Sequence, residues 1–240
     1  MSVTTPPAPA RRRLVAHETY TTVFGVVYAG LATNFLLIGS CLPFVALLLT
    51  TDPTRSWPLL VLLAPFCAPG VVAAFAVFGA FSADPSTGVV RGFWRAYRRH
   101  GRRALAIGAI ATALTLVLAV DVRAVWGHAI GAVAIPVFVT LTLLTVATTL
   151  VALPAVPDHR DARLRDLLKI ALFAAVRRWY LSGFALLVLG TLAALVAARP
   201  ALGLGVATAP LLYVVWGGSR HAMSAVLTPA PATGGPAPRA

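Results

Sequence analysis

Side chains that could carry out catalysis are scarce in this sequence. Its 240 residues include seven Asp and Glu and five His. None of them stands in a Gly-x-Ser-x-Gly, a His-Glu-x-x-His or a phosphate-binding loop, the arrangements that position a nucleophile, a metal or a phosphate. Asp121 and Arg123 are separated by one residue between apolar runs, which is typical of a tight, exposed turn. The sequence therefore predicts no catalytic residues and a protein that is not an enzyme.

Residues that could bind a metal or carry a proton are equally sparse. Cys41 and Cys67 are the two cysteines, and without clustered His they make no metal site. Buried thiols usually pack as small hydrophobic groups, although this pair could also be neighbours across a helical hairpin. His128 lies near the outer end of an apolar run, where an interfacial position is favoured over a proton relay. No metal and no cofactor is expected, and an ion-coupled transporter is disfavoured.

These residues are set in long apolar runs. Hydrophobic residues make up 59% of the chain and charged residues 11%, whereas soluble domains contain about 45–50% and about 25%. A helix that spans a bilayer needs about 20 apolar residues. Six charge-free runs qualify as candidates, at 19–51, 56–83, 104–120, 124–157, 179–198 and 200–219. The sequence predicts an all-α, polytopic membrane helix bundle of about six transmembrane helices.

The distribution of charge predicts how this bundle lies in the membrane. Twenty Lys and Arg against seven Asp and Glu give a net charge of +13. Seventeen of the basic residues fall in the N-terminus, the loops 84–103 and 158–178 and the C-terminus, against three in the other loops, Arg55, Arg123 and Arg199. By the positive-inside rule both termini are cytoplasmic. We expect a multi-pass protein of the cytoplasmic membrane of a bacterium.

Two segments flank the predicted membrane domain, 19–221. Segment 1–18 is basic and rich in Pro and Ala, and segment 222–240 is rich in Pro and Ala, compositions that are typical of disordered tails. No cleavable signal peptide is expected, because the first apolar run is far longer than the apolar core of such a peptide.

Two basic segments between the runs have a helical pattern. Segment 90–105 places apolar residues on one face, namely Val90, Phe93, Trp94, Tyr97, Gly101 and Ala104, and segment 164–176 repeats the design with Leu164, Leu167, Leu168, Ala171, Leu172 and Ala175. An apolar face opposite a cationic stripe is typical of an amphipathic helix that lies in the headgroup plane. The alternative is that the basic residues only fix the topology of the chain in the membrane. The expected lipid or partner contacts are Phe93, Trp94, Arg95, Tyr97, Arg98, Arg99, Arg102, Arg103, Arg177 and Arg178.

Polar and small residues inside the runs are suited to helix packing. Asn34 is the best intramembrane polar anchor, because a carboxamide in lipid must find a hydrogen-bonding partner. Two further sets each share a helical face: Ala104, Gly108 and Thr112, and Thr142, Thr145 and Thr149. Prolines such as Pro43 and Pro69 would kink or end helices, and such breaks can line a cavity.

A series of motifs runs through the first half of the chain: Asn34, Ser40-Cys41-Leu42-Pro43, Pro69-Gly70-Val-Val-Ala73-Ala74, Asp84-Pro85-Ser86, Gly92-Phe93-Trp94-Arg95-Ala96-Tyr97-Arg98-Arg99-His100 and Asp121. The series resembles the YesL family of small bacterial integral membrane proteins, whose domain has no established activity. The resemblance extends over residues 20–225. Because members of that family are encoded beside carbohydrate ABC transporters, it implies an accessory role near sugar uptake and no catalytic residues.

We therefore expect an accessory component of a carbohydrate ABC transport system that docks through its basic cytoplasmic segments. The expected partners are anionic lipid headgroups and ABC transporter subunits. Nucleic acid is not expected as a partner, because the basic residues lie in short segments between apolar runs. Two alternatives stay open: a stand-alone small-solute transporter or channel with a cavity lined by Asn34 and the threonines of 124–157, and a membrane enzyme acting on lipid, which needs a cleft with convergent polar groups.

Overall fold

The computed structural model describes residues 8–84, 87–159 and 163–227, and these residues form helices joined by short turns, with no β-strand among them. The elements in chain order are α1 (Ala8–Ser40), α2 (Leu42–Thr50), α3 (Pro53–Ala83), α4 (Val89–Val125), α5 (Gly131–Ala155), α6 (Leu164–Arg177), α7 (Trp179–Ala198), α8 (Pro200–Leu202), a π-helical segment (Gly203–Ala207) and α9 (Thr208–Leu227). The predicted all-α fold is confirmed.

Five stretches are long and apolar enough to cross a membrane: Arg55–Ala83, Val89–Val125, Gly131–Ala155, Trp179–Ala198 and Pro200–Arg220. A sixth results if Phe24–Ser40 and Leu42–Thr50, two helices bent by 78° relative to each other, count as one span. Large apolar side chains such as Phe24, Leu62 and Val133 are exposed on the outside of the bundle, as expected for a surface that faces lipid. The chain is a polytopic, multi-pass membrane protein.

Helix α3 lies at the centre of the bundle. Its C-terminal half is buried, and Val72, Ala73 and Ala74 have no exposed surface. Helix α4 runs antiparallel beside it, since Gly92 lies near Val77 and Gly108 lies near Ala68. Helices α1 and α9 complete the surroundings of α3, where Gly25 of α1 approaches Phe81 and Trp216 of α9 approaches Gly79.

Helix α4 differs from the sequence prediction. The pattern predicts a separate amphipathic helix at 90–105, but this segment is the first part of one helix of 37 residues. At 1.5 Å per residue the helix is about 55 Å long, so about 17 residues exceed a hydrocarbon core of about 30 Å. The turn expected at Asp121–Arg123 is helical as well. The chain turns at 126–130 instead, where Gly127 has a φ of +84°.

The predicted tails are shorter than expected. Helix α1 begins at Ala8 and α9 ends at Leu227, so residues 8–18 and 222–227 are helical, contrary to the predicted disorder. The physical reason at the N-terminus is that 8–18 contains Ala, Arg and Leu, good helix formers that continue directly into an apolar run. The rest of the predicted tails, 1–7 and 228–240, lies outside the described residues.

Candidate functional site

The first part of α4, which carries the predicted contact residues, has a buried side and an exposed side. One side is buried against α3 and comprises Val89, Phe93, Ala96, His100 and Ala104. The other side is exposed and carries Arg91, Arg95, Arg98, Arg99 and Arg102, which we call the arginine ridge. Because α4 is one continuous helix packed on α3, the direction in which the ridge faces is fixed.

Two predicted contacts on α4 do not belong to its exposed side. Phe93 is 0% exposed, because α3 covers this side of the helix, and it is therefore a core residue rather than a lipid or partner contact. Arg103 is half-buried, and its guanidinium donates a hydrogen bond of 3.4 Å to the carbonyl oxygen of His159. Val90 and Trp94, predicted to share the apolar face, are 45% and 43% exposed. The residues of α4 that are buried are those that face α3, and not all of the aromatic residues of the predicted apolar face.

An aromatic pair stands beside the arginine ridge. The ring centroids of Trp94 and Tyr97 are 5.5 Å apart in an edge-to-face arrangement, and Tyr97 also stacks on Phe93 at 6.3 Å. Among the described residues a salt bridge joins Arg220 to Asp158, and none occurs on the ridge. The ridge therefore presents guanidinium groups that can bind an external anion.

Helix α6 is a separate amphipathic helix, as the sequence predicts. Its buried residues Leu167, Ala171, Ala174 and Ala175 belong to one cluster with the C-terminal end of α5. Arg177 is exposed, and its guanidinium carbon lies 5.8 Å from the centre of the Phe173 ring.

Arg178 differs from the other predicted contacts on this side. It is half-buried and forms the break between α6 and α7. Across this break the Ser182 hydroxyl donates a hydrogen bond of 2.9 Å to the carbonyl oxygen of Ala175. Arg178 is thus part of a helix junction as well as of the basic surface.

Asn34 joins α1 to the π-helical segment. It is 2% exposed. Its Nδ2 donates to the carbonyl oxygens of Gly205 and Val206 at 2.9 and 3.0 Å, and its Oδ1 accepts from the backbone N–H of Ala209 at 2.7 Å. A π-helical turn shifts the backbone hydrogen-bond register by one residue. The carboxamide of Asn34 satisfies backbone groups at the point of this shift, so its role in the structure is to anchor two helices.

Cys41 and Cys67 meet across the first hairpin. The Cys41 Sγ lies 4.0 Å from the carbonyl oxygen of Cys67 and 3.7 Å from the Ser40 Oγ. Both are free thiols and half-buried. Among the described residues, no group of three or more His, Cys, Asp and Glu side chains could hold a metal ion.

Two apolar cavities flank the α4–α5 pair. The larger has a volume of about 550 Å³ and lies between α2, α3, α4, α5 and α7, with Trp57, Thr112 and Leu189 among its lining residues. The smaller has a volume of about 300 Å³ and lies between α4, α5 and α6, with Ile110, Leu141 and Lys169 among its lining residues. Lys169 is not among the predicted site residues, because nothing in the charge pattern distinguishes it from its basic neighbours.

The structure does not bring Asn34 together with the threonines of α5. Asn34 contacts the π-helical segment, whereas Thr145 and Thr149 line the cavities beside α4. The hydroxyls of both threonines donate to carbonyl oxygens of their own helix at 2.8 Å. Asn34 lines neither of these two cavities, so the predicted cavity lined by both Asn34 and these threonines is not found among the described residues.

Comparison with known proteins gives no relative: no family model, curated protein or solved structure matches this chain. The resemblance to the YesL family therefore stays a prediction from its motifs.

Proposed function

We propose that this chain is a non-catalytic accessory subunit of a carbohydrate ABC transport system in the cytoplasmic membrane of a bacterium. The observation that carries the proposal is the arginine ridge, which lies on the part of α4 that exceeds the hydrocarbon thickness. A fixed row of guanidinium groups suits an acidic surface of a partner subunit, with anionic headgroups around it. The YesL-like motifs are the reason for naming this class of partner.

The packing of α4 supports a role for the ridge beyond topology. Arginines in a mobile loop would satisfy the positive-inside rule equally well. In this chain Phe93, His100 and Ala104 are buried against α3, so the rotation of α4 is set and the arginines are held outward. Such preorganisation lowers the entropic cost of binding a partner.

The test is co-purification of the tagged protein in mild detergent, combined with sugar uptake by the same cells. We expect transporter subunits to accompany the wild-type protein. Replacing Arg95, Arg98, Arg99 and Arg102 together by Gln should abolish this association and lower uptake several-fold, because rim charges steer and orient a partner. A matched control replaces the same four residues by Lys, which keeps the charge and the topology signal and should retain most of the association.

Two outcomes would contradict the proposal. One is that no transporter subunit accompanies the wild-type protein, and the other is that the four Gln substitutions leave sugar uptake unchanged. Solute flux in proteoliposomes that contain this chain alone would instead support a stand-alone transporter. The volume of the larger cavity favours that second candidate. The polar lining of the two cavities consists of threonines, Trp57 and Lys169, and the other lining residues are apolar.

A further inference from the structure

The larger cavity lies one helical turn beyond the close contact of α4 with α3 at Gly108. Its lining on α4 extends from Ala111 to Ala119, and its volume of about 550 Å³ is within the range of small-molecule sites, about 300–1,000 Å³. Trp57 and Ala119, two of its lining residues, are exposed on the outside of the bundle. The cavity is therefore accessible to a molecule dissolved in the membrane.

The lining of the larger cavity is apolar and uncharged. Among its described lining residues there is no Asp, Glu, Lys, Arg or His. An ion would lose its hydration in such a place without gaining a partner of opposite charge. The polar groups of the lining are the indole of Trp57 and the hydroxyls of Thr112, Thr115 and Thr149. The cavity is therefore suited to a neutral ligand.

The hydroxyls of Thr112 and Thr115 differ from those of the threonines in α5. Every threonine of α5 donates its hydroxyl to the carbonyl oxygen four residues earlier. Within the part of the chain that the structure describes, the hydroxyls of Thr112 and Thr115 have no hydrogen-bond partner. No fully enclosed side-chain nitrogen or oxygen atom of the described residues lacks a partner, so these two hydroxyl oxygens have accessible surface and can bind a ligand.

Thr112 and Thr115 lie side by side on the face of α4 that lines the cavity. Successive residues of a helix are rotated by about 100°, which places both threonines near the middle of the arc formed by Ala111, Leu116 and Ala119. Residues three apart on a helix have Cβ atoms about 5–6 Å apart. Because a carbonyl oxygen has two lone pairs, one such oxygen can accept hydrogen bonds from both hydroxyls.

We propose that the larger cavity binds a neutral, apolar molecule that carries a carbonyl oxygen, to which Thr112 and Thr115 donate hydrogen bonds. The indole N–H of Trp57 has no hydrogen-bond partner among the described residues either. Since an indole N–H can only donate, an acceptor is the ligand group that satisfies all three side chains. The site is separate from the arginine ridge, and it does not depend on the proposed accessory function.

The test is thermal unfolding of the full-length protein in detergent during titration with fluorenone. Fluorene has the same rings with a methylene group in place of the carbonyl, and it is titrated in parallel. We expect both ligands to raise the midpoint temperature, because both bind the folded state. Fluorenone should bind about tenfold more tightly than fluorene, as expected for two hydrogen bonds.

The double variant Thr112→Val, Thr115→Val removes both hydroxyls at nearly constant side-chain size. We expect its fluorenone affinity to fall about tenfold and its fluorene affinity to stay unchanged. Thr149→Val is the matched control, because Thr149 lines the same cavity but its hydroxyl donates to the carbonyl oxygen of Thr145 at 2.8 Å. This control should keep the affinity of the wild type for both ligands.

A second pair of variants tests the location of the site. Ala64→Phe fills the cavity from α3 and should abolish the shift with either ligand, whereas Val133→Phe adds the same ring at a position that is 73% exposed and should have no effect. The readout is the ligand-induced shift, so a lower starting stability does not affect it, and the threonine variants decide the proposal if Ala64→Phe does not fold. The proposal is overturned if neither ligand shifts the wild type, if Ala64→Phe keeps the full shift, or if Thr149→Val loses as much fluorenone affinity as the double variant.

Discussion

Asn34 connects two helices through both ends of its carboxamide, and its partners are backbone groups of a π-helical segment. A buried backbone group without a partner is costly, and water cannot replace the side chain at a site that is 2% exposed. The sequence predicts that Asn34 requires a partner, but its partners are carbonyl oxygens whose orientation depends on the π-helical turn. No side-chain pattern in 203–207 encodes that turn, so the partners could not be predicted.

Asn34→Leu keeps the size of the side chain and removes its three hydrogen bonds. We expect a loss of about 1–3 kcal/mol in the free energy of unfolding, because the carbonyl oxygens of Gly205 and Val206 and the N–H of Ala209 lose their side-chain partner. The measurement is reversible unfolding in detergent.

Thr33→Val is the matched control for this substitution. Thr33 is buried next to Asn34 in the chain, but its hydroxyl donates to Ala29 of its own helix at 2.7 Å. Removing this hydroxyl breaks no contact between helices, and we expect a loss below about 1 kcal/mol in the free energy of unfolding. Equal stability of the two variants would show that Asn34 does not anchor α1.

Helices α3 and α4 approach each other closely at Gly108. A Cβ atom at Gly108 would lie 2.8 Å from the Cβ of Ala68 and 3.2 Å from the carbonyl oxygen of Pro65. Ala104, one turn earlier, is fully buried on the same side. Ala104 and Gly108, two of the three small residues predicted to share a helical face, therefore lie on the side of α4 that meets α3.

Gly108→Ala should push the two helices apart. We expect a loss of about 1–3 kcal/mol in the free energy of unfolding from overpacking, even though Ala favours a helix over Gly by about 1 kcal/mol. Gly190→Ala on α7 is the control, because a Cβ there meets no atom within 4 Å, and it should be neutral or stabilising. Unfolding in the same detergent checks both, and a change of the same sign and size in the two variants would contradict the packing argument.

Periodicity predicts which residues share a helical face, but not which face meets a neighbour or where a helix ends. In α4 the aromatic Trp94 lies outside and the small Ala96 inside, because α3 packs beside Ala96 and His100. No Pro stands between Val90 and Val125, so nothing forces the helix to end at the expected boundary between Arg103 and Ala104. The chain has no such residue at Arg178 either, yet it breaks at that point, where α6 packs on α5. Tertiary packing decides between these two outcomes.

The number of spans is predictable because hydrophobic length is a property of the sequence alone. The shape of the spans is not. The first run divides into α1 and α2 with a bend of 78°, two residues before Pro43, whereas α3 contains Pro65 and Pro69 and continues as one helix. A proline removes one backbone hydrogen bond in either case, and neighbouring helices determine whether the chain bends.

The sequence predicts the orientation of the whole bundle, because it places seventeen basic residues in the predicted cytoplasmic segments and three in the predicted outer loops. This prediction can be tested at the two ends of α4. Gly88 and His128 are exposed and flank this helix. In a Cys41→Ala, Cys67→Ala background, we expect a membrane-impermeant maleimide to label His128→Cys in intact cells and Gly88→Cys only after permeabilisation. Labelling of both variants in detergent, and none of the background, controls for reactivity. The reverse pattern would place the arginine ridge outside the cell, where a cytoplasmic partner could not bind it.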